Sequence, residues 1–271
     1  MSRIPVALQL YSVRDDMKED FKGTLRKVKE MGYDGVEFAG LFENSAEDVK
    51  KMCEEIGLTP ISAHVSYKEM MEDETTIDRY KTIGCEYIVI PSLRKENLAG
   101  GEFYTQTLEG VKKLGEKAKA AGMKLGYHNH DFEFAKHDGK YLLDALYDDV
   151  SKDLLDTQLD TCWVNVGGEN PSEYIRKYAD RTNIIHLKDF FGSKTENMYG
   201  LISEKDSGKE ADTAKFDYLP VGYGKQDFVS IMNAAHEIGA KWVVVEQDKP
   251  SLDKTPLECA KMSVDYIKPL L

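Results

Sequence analysis

The chain has 271 residues, with 36 lysines and arginines against 48 aspartates and glutamates, and a formal net charge of −12. This acidic balance excludes the basic surface of a nucleic-acid-binding protein, so we expect no nucleic-acid partner. No run approaches the roughly 18–20 apolar residues that a membrane span requires, so we expect no membrane association.

The cysteines and the first residues indicate a cytoplasmic location. The apolar run within MSRIPVALQLYS is too short for a secretory signal and is typical of a strand. No CxxC pair is present, and widely spaced cysteines indicate free thiols in a reducing compartment. The four cysteines are Cys53, Cys85, Cys162 and Cys259.

Apolar runs alternate with amphipathic stretches along the first half of the chain. Strands are predicted over residues 6–12, 34–39, 59–65 and 85–91. The helices between them are predicted over about 20–31 and 45–56, then up to Gly84 and up to Gly122. Predicted helices end at Gly32, Gly57, Gly84 and Gly122, and at Gly239 in the second half of the chain. Glycine fits the left-handed C-cap conformation, which a residue without Cβ adopts readily.

The same unit repeats in the second half. Strands are predicted over residues 124–130, 157–163, 183–189 and 241–247, and helices over about 141–150, 171–178, 227–238 and from 256 onward. An insertion over residues 190–224 follows the seventh strand. Because a loop of this length in a compact domain is usually functional, we predict a lid or an interaction element there.

Eight strands alternating with eight helices predict a single-domain (β/α)8 TIM barrel over residues 1–271. A doubly wound open sheet would give the same alternation. It normally carries a glycine-rich phosphate-binding turn after the first strand, and LQLYSVRDDM contains no glycine. The barrel is therefore the favoured architecture.

Polar side chains stand at the ends of the last four strands. Each one alone is explained as well by a packed core histidine, a helix cap or a solvent-facing strand end. In a barrel, however, these ends meet at one face, and imidazole and carboxylate groups are ligands for Mn, Co, Fe or Zn. The residues are His128 and His130 with Glu133 shortly after, Asp160, His186 and Lys188, and Glu246 and Asp248.

Five residues are predicted to bind substrate, and Asp248 at the end of the eighth strand is one of them. Gln9, Glu37 and His64 lie in or at the end of the first three strands, where they could complete a polar pocket. Trp163 could offer an apolar platform for one face of a sugar. Structural roles explain His64 and Trp163 equally well.

Several segments together resemble one known group of proteins. QLYSVRD, GYDGVEFAG, GYHNHDFEF, QLDTCWV, HLKD and VVVEQD are similar to segments of the sugar isomerase/epimerase superfamily of xylose-isomerase-like TIM barrels. That superfamily includes ketose epimerases, inosose dehydratases and endonuclease IV, and the resemblance covers nearly the whole chain. HNHDFEF resembles a branch described as sugar phosphate isomerase/epimerase, to which guloside epimerases and C-glycoside deglycosidase subunits are similar.

The resemblance implies one divalent metal, with Mn favoured and Co, Mg, Fe or Zn as alternatives. Relatives bind it through Glu, Asp, His and Glu from strands five to eight, and Asp160, His186 and Glu246 match the last three. His128 stands where relatives have the first glutamate, which departs from the pattern of two ligating carboxylates used by ketose epimerases. His130 or Glu133 could take that place instead.

The resulting hypothesis is an isomerase or epimerase that abstracts a proton next to the carbonyl of a keto- or oxo-sugar. Glu246 would be the base, His128 or His130 would serve the opposite face of the sugar, and Lys188 would stabilise oxyanion charge. Glu133 is a further catalytic candidate.

Three alternatives share this fold. The first is a lyase of the inosose dehydratase or C-glycoside deglycosidase type, and the second is a non-catalytic sugar-binding or partner subunit. The third is a metal hydrolase, which product analysis would distinguish. The expected ligand is an unphosphorylated sugar or a glycoside. Relatives are often dimers or tetramers, so the resemblance is compatible with a homo-oligomer as well as with a partner subunit, and the sequence does not decide between them.

Overall fold

The computed structural model describes residues 3–194 and 216–271. Within them, eight parallel strands close into a barrel in the order β1-β8-β7-β6-β5-β4-β3-β2, so the predicted TIM barrel is confirmed. The strands are β1 (Val6–Gln9), β2 (Gly35–Phe38), β3 (Thr59–His64), β4 (Tyr87–Ile90), β5 (Lys124–His128), β6 (Asp156–Asp160), β7 (Thr182–Leu187) and β8 (Trp242–Val245).

The described residues form eleven α-helices rather than eight. Additional short helices follow β1, β3 and β6, where a single helix was predicted after each strand. The helices are α1 (Arg14–Glu19), α2 (Phe21–Met31), α3 (Ala46–Ile56), α4 (Tyr67–Glu72), α5 (Thr76–Ile83), α6 (Tyr104–Ala120), α7 (Leu142–Asp149), α8 (Thr161–Val166), α9 (Pro171–Lys177), α10 (Phe228–Ile238) and α11 (Pro256–Ile267). None of these described helices is long and apolar enough to cross a bilayer.

Several strands end earlier than predicted because polar side chains bond to the next few backbone amides. The Gln9 side chain accepts a hydrogen bond from the Tyr11 amide, and a 3₁₀ helix, Leu10–Val13, begins directly after it. The Asp160 carboxylate accepts bonds from the amides of Cys162 and Trp163 and so begins α8. Such local bonds offer the backbone an alternative to the sheet ladder.

The barrel interior changes from apolar to polar toward the carboxyl ends of the strands. Side chains two residues apart share a face of a strand, and Ala7, Ile184 and Val244 belong to a small apolar cluster within the barrel. Two residues further along the same strands stand Gln9, His186 and Glu246, all buried. Because alternate residues of a strand share one face, these polar groups all lie inside the barrel at the carboxyl end of the strands.

Two short antiparallel strands stand at the beginning of the insertion and near its end. Asp189–Gly192 pairs antiparallel with Phe216–Leu219. Residues 195–215, on which most of the predicted lid or interaction element falls, lie outside the described residues.

Candidate metal centre and substrate cavity

Four potential ligands from four adjacent strands converge at the carboxyl end of the barrel. His128, Asp160, His186 and Glu246 each offer a ligand atom, and these atoms all lie within 4.8 Å of one another. They end β5 and β6, lie in β7, and follow β8. Because these strands are neighbours in the closed sheet, residues far apart along the chain meet in one cluster.

Both histidines of this cluster are oriented by partners outside it. His128 Nδ1 lies 3.1 Å from Gln158 Oε1, and His186 Nε2 lies 2.8 Å from Glu37 Oε1. The other ring nitrogens face the cluster, since His128 Nε2 lies 3.6 Å from Asp160 and His186 Nδ1 lies 3.0 Å from Glu246. Metal-binding histidines typically have one nitrogen fixed in this way by an oxygen acceptor.

The two carboxylate oxygens of Asp160 contact different groups. Oδ1 caps α8, at 2.8 Å from the Cys162 amide and 3.2 Å from the Trp163 amide. Oδ2 lies 3.2 Å from the Lys188 ammonium. The cap thus fixes the carboxylate while leaving one oxygen directed into the cluster.

Glu37 lies beneath the cluster and serves as its central acceptor. It is fully buried and accepts hydrogen bonds from Gln9 (2.6 Å), Ser62 (2.5 Å) and Gln158 (2.6 Å). Although burial opposes ionisation, His64 and His186 lower the pKa of Glu37 to about 2. Glu37 and Gln9 were both predicted to bind substrate. In the structure Gln9 donates a hydrogen bond to Glu37, and Glu37 contacts the rings of His64 and His186.

Lys188 is a buried cation surrounded by carboxylates. Its ammonium lies 3.1–3.2 Å from oxygens of Asp160, Glu246 and Asp248. It also lies 5.3 Å from the ring centroid of Trp163. Burial disfavours the charged form, but the three carboxylates hold the pKa of Lys188 well above its usual value.

The donor set fits a divalent cation. Among the described residues of this cluster, the four buried carboxylates of Glu37, Asp160, Glu246 and Asp248 outnumber two cationic groups, the Lys188 ammonium and the His186 imidazolium. Although burial opposes the charged form of His186, Glu37 and Glu246 raise its pKa to about 10. Buried charge is costly unless it is compensated. Two imidazoles and two carboxylates form a mixed nitrogen and oxygen set that Zn, Mn, Fe or Co accepts.

A cavity of about 310 Å³ opens over this cluster. Among the predicted substrate-binding residues, His64 and Asp248 line it, whereas Gln9, Glu37 and Trp163 do not. The lining residues are Tyr11, Ala39, His64, Pro91, Ser92, His128, His130, Lys188, Glu246 and Asp248.

Trp163 lies behind the cavity rather than in it. Its side chain is fully buried, stacked at 6.1 Å on Phe216 and perpendicular to Tyr218. Since Asp160 begins a helix at this point, Trp163 belongs to α8 and not to a strand. Its indole lies 5.6 Å from the His130 ring, so the structure gives it a supporting position instead of the predicted sugar platform.

His130 and Glu133 have different positions although both were predicted to be catalytic. His130 lines the cavity, and burial together with the charge of Lys188 lowers its pKa to about 3. Glu133 is fully buried, accepting hydrogen bonds from the Tyr127 hydroxyl at 2.6 Å and the His130 amide at 2.9 Å. Glu133 thus holds the backbone of His130 and does not line the cavity.

The Glu133→Gln variant is expected to flatten the pH dependence of stability. Burial raises the pKa of Glu133 from its ordinary 4.5 to about 8, so the folded state binds this proton more tightly than the unfolded state. This contribution to stability is complete below about pH 4.5 and is lost as the pH rises to 8, by at most about 1.4 kcal/mol per pH unit.

Urea unfolding between pH 6.5 and 9 measures this slope. The wild-type protein should lose stability between pH 6.5 and 8, and Glu133→Gln should lose less. Glu116→Gln, at an exposed position on α6, is the control and should retain the wild-type slope. Equal slopes in all three proteins would contradict the assignment.

Sequence reasoning overlooked Gln158 and Ser62. Gln158 bonds to Glu37, His64 and His128, and Ser62 bonds to Glu37. A signal was present, because Gln158 and Ser62 each lie two residues before a predicted site residue and therefore on the same strand face. Because Gln158 and Ser62 are uncharged and are not typical metal ligands, the sequence alone does not single them out.

Comparison with known proteins places the fold. A family model described as "Xylose isomerase-like TIM barrel" matches residues 25–270. Inosose dehydratase from Clostridium perfringens (strain 13 / Type A) is 26% identical, over 97% of this chain and 95% of that protein.

Solved structures show the same fold. A sugar phosphate isomerase/epimerase from Parabacteroides distasonis superposes with a TM-score of 0.76 at 24% identity, covering 99% of this chain and 94% of the other. The IOLI protein with a binding zinc atom superposes with a TM-score of 0.73 at 17% identity, covering 99% of both chains.

Proposed function

Since the chain belongs to the xylose isomerase-like TIM barrel family, we propose that it is a divalent-metal-dependent enzyme that abstracts a proton next to the carbonyl of a keto- or oxo-sugar. The observation that carries the proposal is the convergence of His128, Asp160, His186 and Glu246 within 4.8 Å beneath a cavity. Isomerisation or epimerisation is the outcome we favour.

Glu246 is the proposed base. It lines the cavity, is 5% exposed, and lies 3.0 Å from His186 and 3.1 Å from Lys188. Burial opposes its charged form, but Lys188 and His186 keep the pKa of Glu246 well below its ordinary value. The carboxylate is therefore ionised at neutral pH and available to receive a carbon-bound proton.

The other cavity residues complete the proposed machinery. The Lys188 ammonium stabilises negative charge that develops on a substrate oxygen. His130, neutral at physiological pH because of its lowered pKa, exchanges a proton at another face of the sugar. His64 and Asp248 contact the substrate hydroxyl groups.

His128, Asp160, His186 and Glu246 would hold the metal. When bound, the cation would supply Lewis-acid stabilisation of charge on the carbonyl oxygen. Among His128, His130 and Glu133, the three candidates left open on the fifth strand, His128 is the one that belongs to this group within the described residues. Mn is the proposed ion, and the zinc named for a structural relative makes zinc the second.

A lyase is the second candidate function. The relative at 26% identity is named inosose dehydratase, and dehydration begins with the same proton abstraction. The two reactions differ only in their second step, since a lyase expels a β-hydroxyl where an isomerase or epimerase reprotonates the carbon. The sugar products distinguish them.

Deuterium exchange tests the shared first step. A panel of keto-sugars and inososes in deuterated water, with protein and Mn²⁺, is expected to incorporate deuterium at the carbon next to the carbonyl. Ultraviolet absorbance of an unsaturated product would identify the lyase. Failure of every substrate to exchange, with metal present in the protein, would refute the proposed chemistry.

A non-catalytic sugar-binding or partner subunit is the remaining alternative, and metal analysis separates it from an enzyme. The protein is expected to take up about one equivalent of metal when Mn²⁺ is supplied, because four donors are already assembled. Uptake below about half an equivalent, with no exchange of substrate, would favour binding over catalysis.

A further inference from the structure

A large groove lies beside the substrate cavity at the same end of the barrel. Its volume is about 1140 Å³, against about 310 Å³ for the cavity over the candidate metal ligands. The segments after β3, β4 and β5 form it, and in a TIM barrel the loops after the strands build the binding face. Its size exceeds what a single sugar ring needs.

The groove and the cavity adjoin each other. Ser92 lines both. The ring of Phe132, which lines the groove, stacks on the ring of His130, which lines the cavity, with centroids 5.5 Å apart and planes 11° apart. The groove therefore borders the cavity at Ser92 and at this pair of rings.

The groove is preformed and offers aromatic surfaces. The Tyr67 hydroxyl lies against α6 at Gly110, where even a Cβ atom would collide with it. The loop that carries Phe103 is closed by a 2.8 Å hydrogen bond from its amide to the carbonyl of Glu96. Phe103 itself is 43% exposed. An exposed aromatic ring on a hydrogen-bonded loop can stack against a flat ring of a ligand.

The charged residues described in the groove are Lys68, Arg94, Lys95 and Glu96, and all four are exposed. The side chains of Lys68 and Arg94 are 79% and 84% exposed, and Arg94 lies 3.8 Å from Glu96. Exposed pairs of this kind contribute little binding energy. Three of the lining residues, Tyr67, Phe103 and Phe132, are aromatic, and Leu93 is a fourth apolar residue of the lining.

We infer that the substrate is a sugar carrying an aromatic substituent, with the sugar ring in the cavity and the aromatic group in this groove. The position of the sugar ring rests on the proposed function. The aromatic subsite rests on the groove alone. Equilibrium binding can therefore test it without turnover.

The test compares paired 1-naphthyl and methyl glycosides of several hexoses by titration calorimetry with the metal-loaded protein. We expect at least one naphthyl glycoside to bind about tenfold more tightly than its methyl partner. Phe103→Ala should remove most of that advantage and leave methyl glycoside binding unchanged. Val229→Ala, an exposed position on α10 outside the groove, is the control and should behave as wild type.

Two outcomes overturn the inference: equal or absent binding of both members of every pair, and a preference for glucose 6-phosphate that Arg94→Ala abolishes. The proposed function fails separately. A naphthyl preference with no deuterium exchange on any sugar would leave the subsite in place and refute the chemistry assigned to Glu246.

Discussion

The Glu246→Gln variant is expected to lose about 10³-fold or more in kcat for deuterium exchange, within the range that general bases contribute. Glutamine keeps the shape of the side chain but cannot take a proton at neutral pH. It also removes one of two carboxylates from the candidate ligand group, so metal content measured by plasma mass spectrometry should fall as well.

Asp248→Asn is the matched control. Asp248 lines the same cavity and contacts the same Lys188 ammonium at 3.1 Å, but lies outside the candidate ligand group. This variant should keep its metal and show its main effect in KM. Wild-type metal content and kcat in Glu246→Gln would remove Glu246 from both proposed roles.

The barrel could be predicted because each element carries its own local signal. Alternating strands and glycine-ended helices recur along the chain, and the predicted glycine caps Gly32, Gly57, Gly84 and Gly239 all have a positive φ. The ends of the elements were less accurate. At Gln9 and Asp160 a side chain bonds to the next few backbone amides, and this bond replaces strand pairing with a helical turn.

The convergence of the candidate ligands could also be predicted. His128, Asp160, His186 and Glu246 stand at the ends of four consecutive strands, and closure of the barrel makes those strands neighbours. Because these residues are far apart along the chain, they form no local motif. The inference therefore depended on the fold.

The role of Glu37 could not be predicted. Its partners Gln9, Ser62, Gln158, His64 and His186 come from four other strands, and their distances depend on the shear of the closed barrel. From the sequence, a glutamate in the second strand looks like a substrate-binding residue. The structure shows that its oxygens are already occupied by protein groups.

Lys188→Met is the second change with a large expected effect. It removes the cation that lies between the carboxylates of Asp160, Glu246 and Asp248. Asp160 and Asp248 lose their ammonium partner, and Glu246 keeps only His186 among the described residues. Loss of one partner from such a cluster costs about 3–5 kcal/mol, so the metal-free variant should unfold at a much lower urea concentration. Because protonation of the carboxylates relieves their repulsion, the deficit should shrink as the pH falls from 8 to 5.

Divalent metal should restore much of this stability. Asp160 and Glu246 contact the Lys188 ammonium and also belong to the candidate ligand group. Mn²⁺ should therefore stabilise Lys188→Met more than it stabilises the wild-type protein. Lys152→Met, which breaks an exposed pair with Asp180, should cost less than about 1 kcal/mol and respond to Mn²⁺ as the wild type does. If the metal-free Lys188→Met protein unfolded with wild-type stability, the three carboxylates would not depend on this ammonium, and the electrostatic account of the site would be wrong.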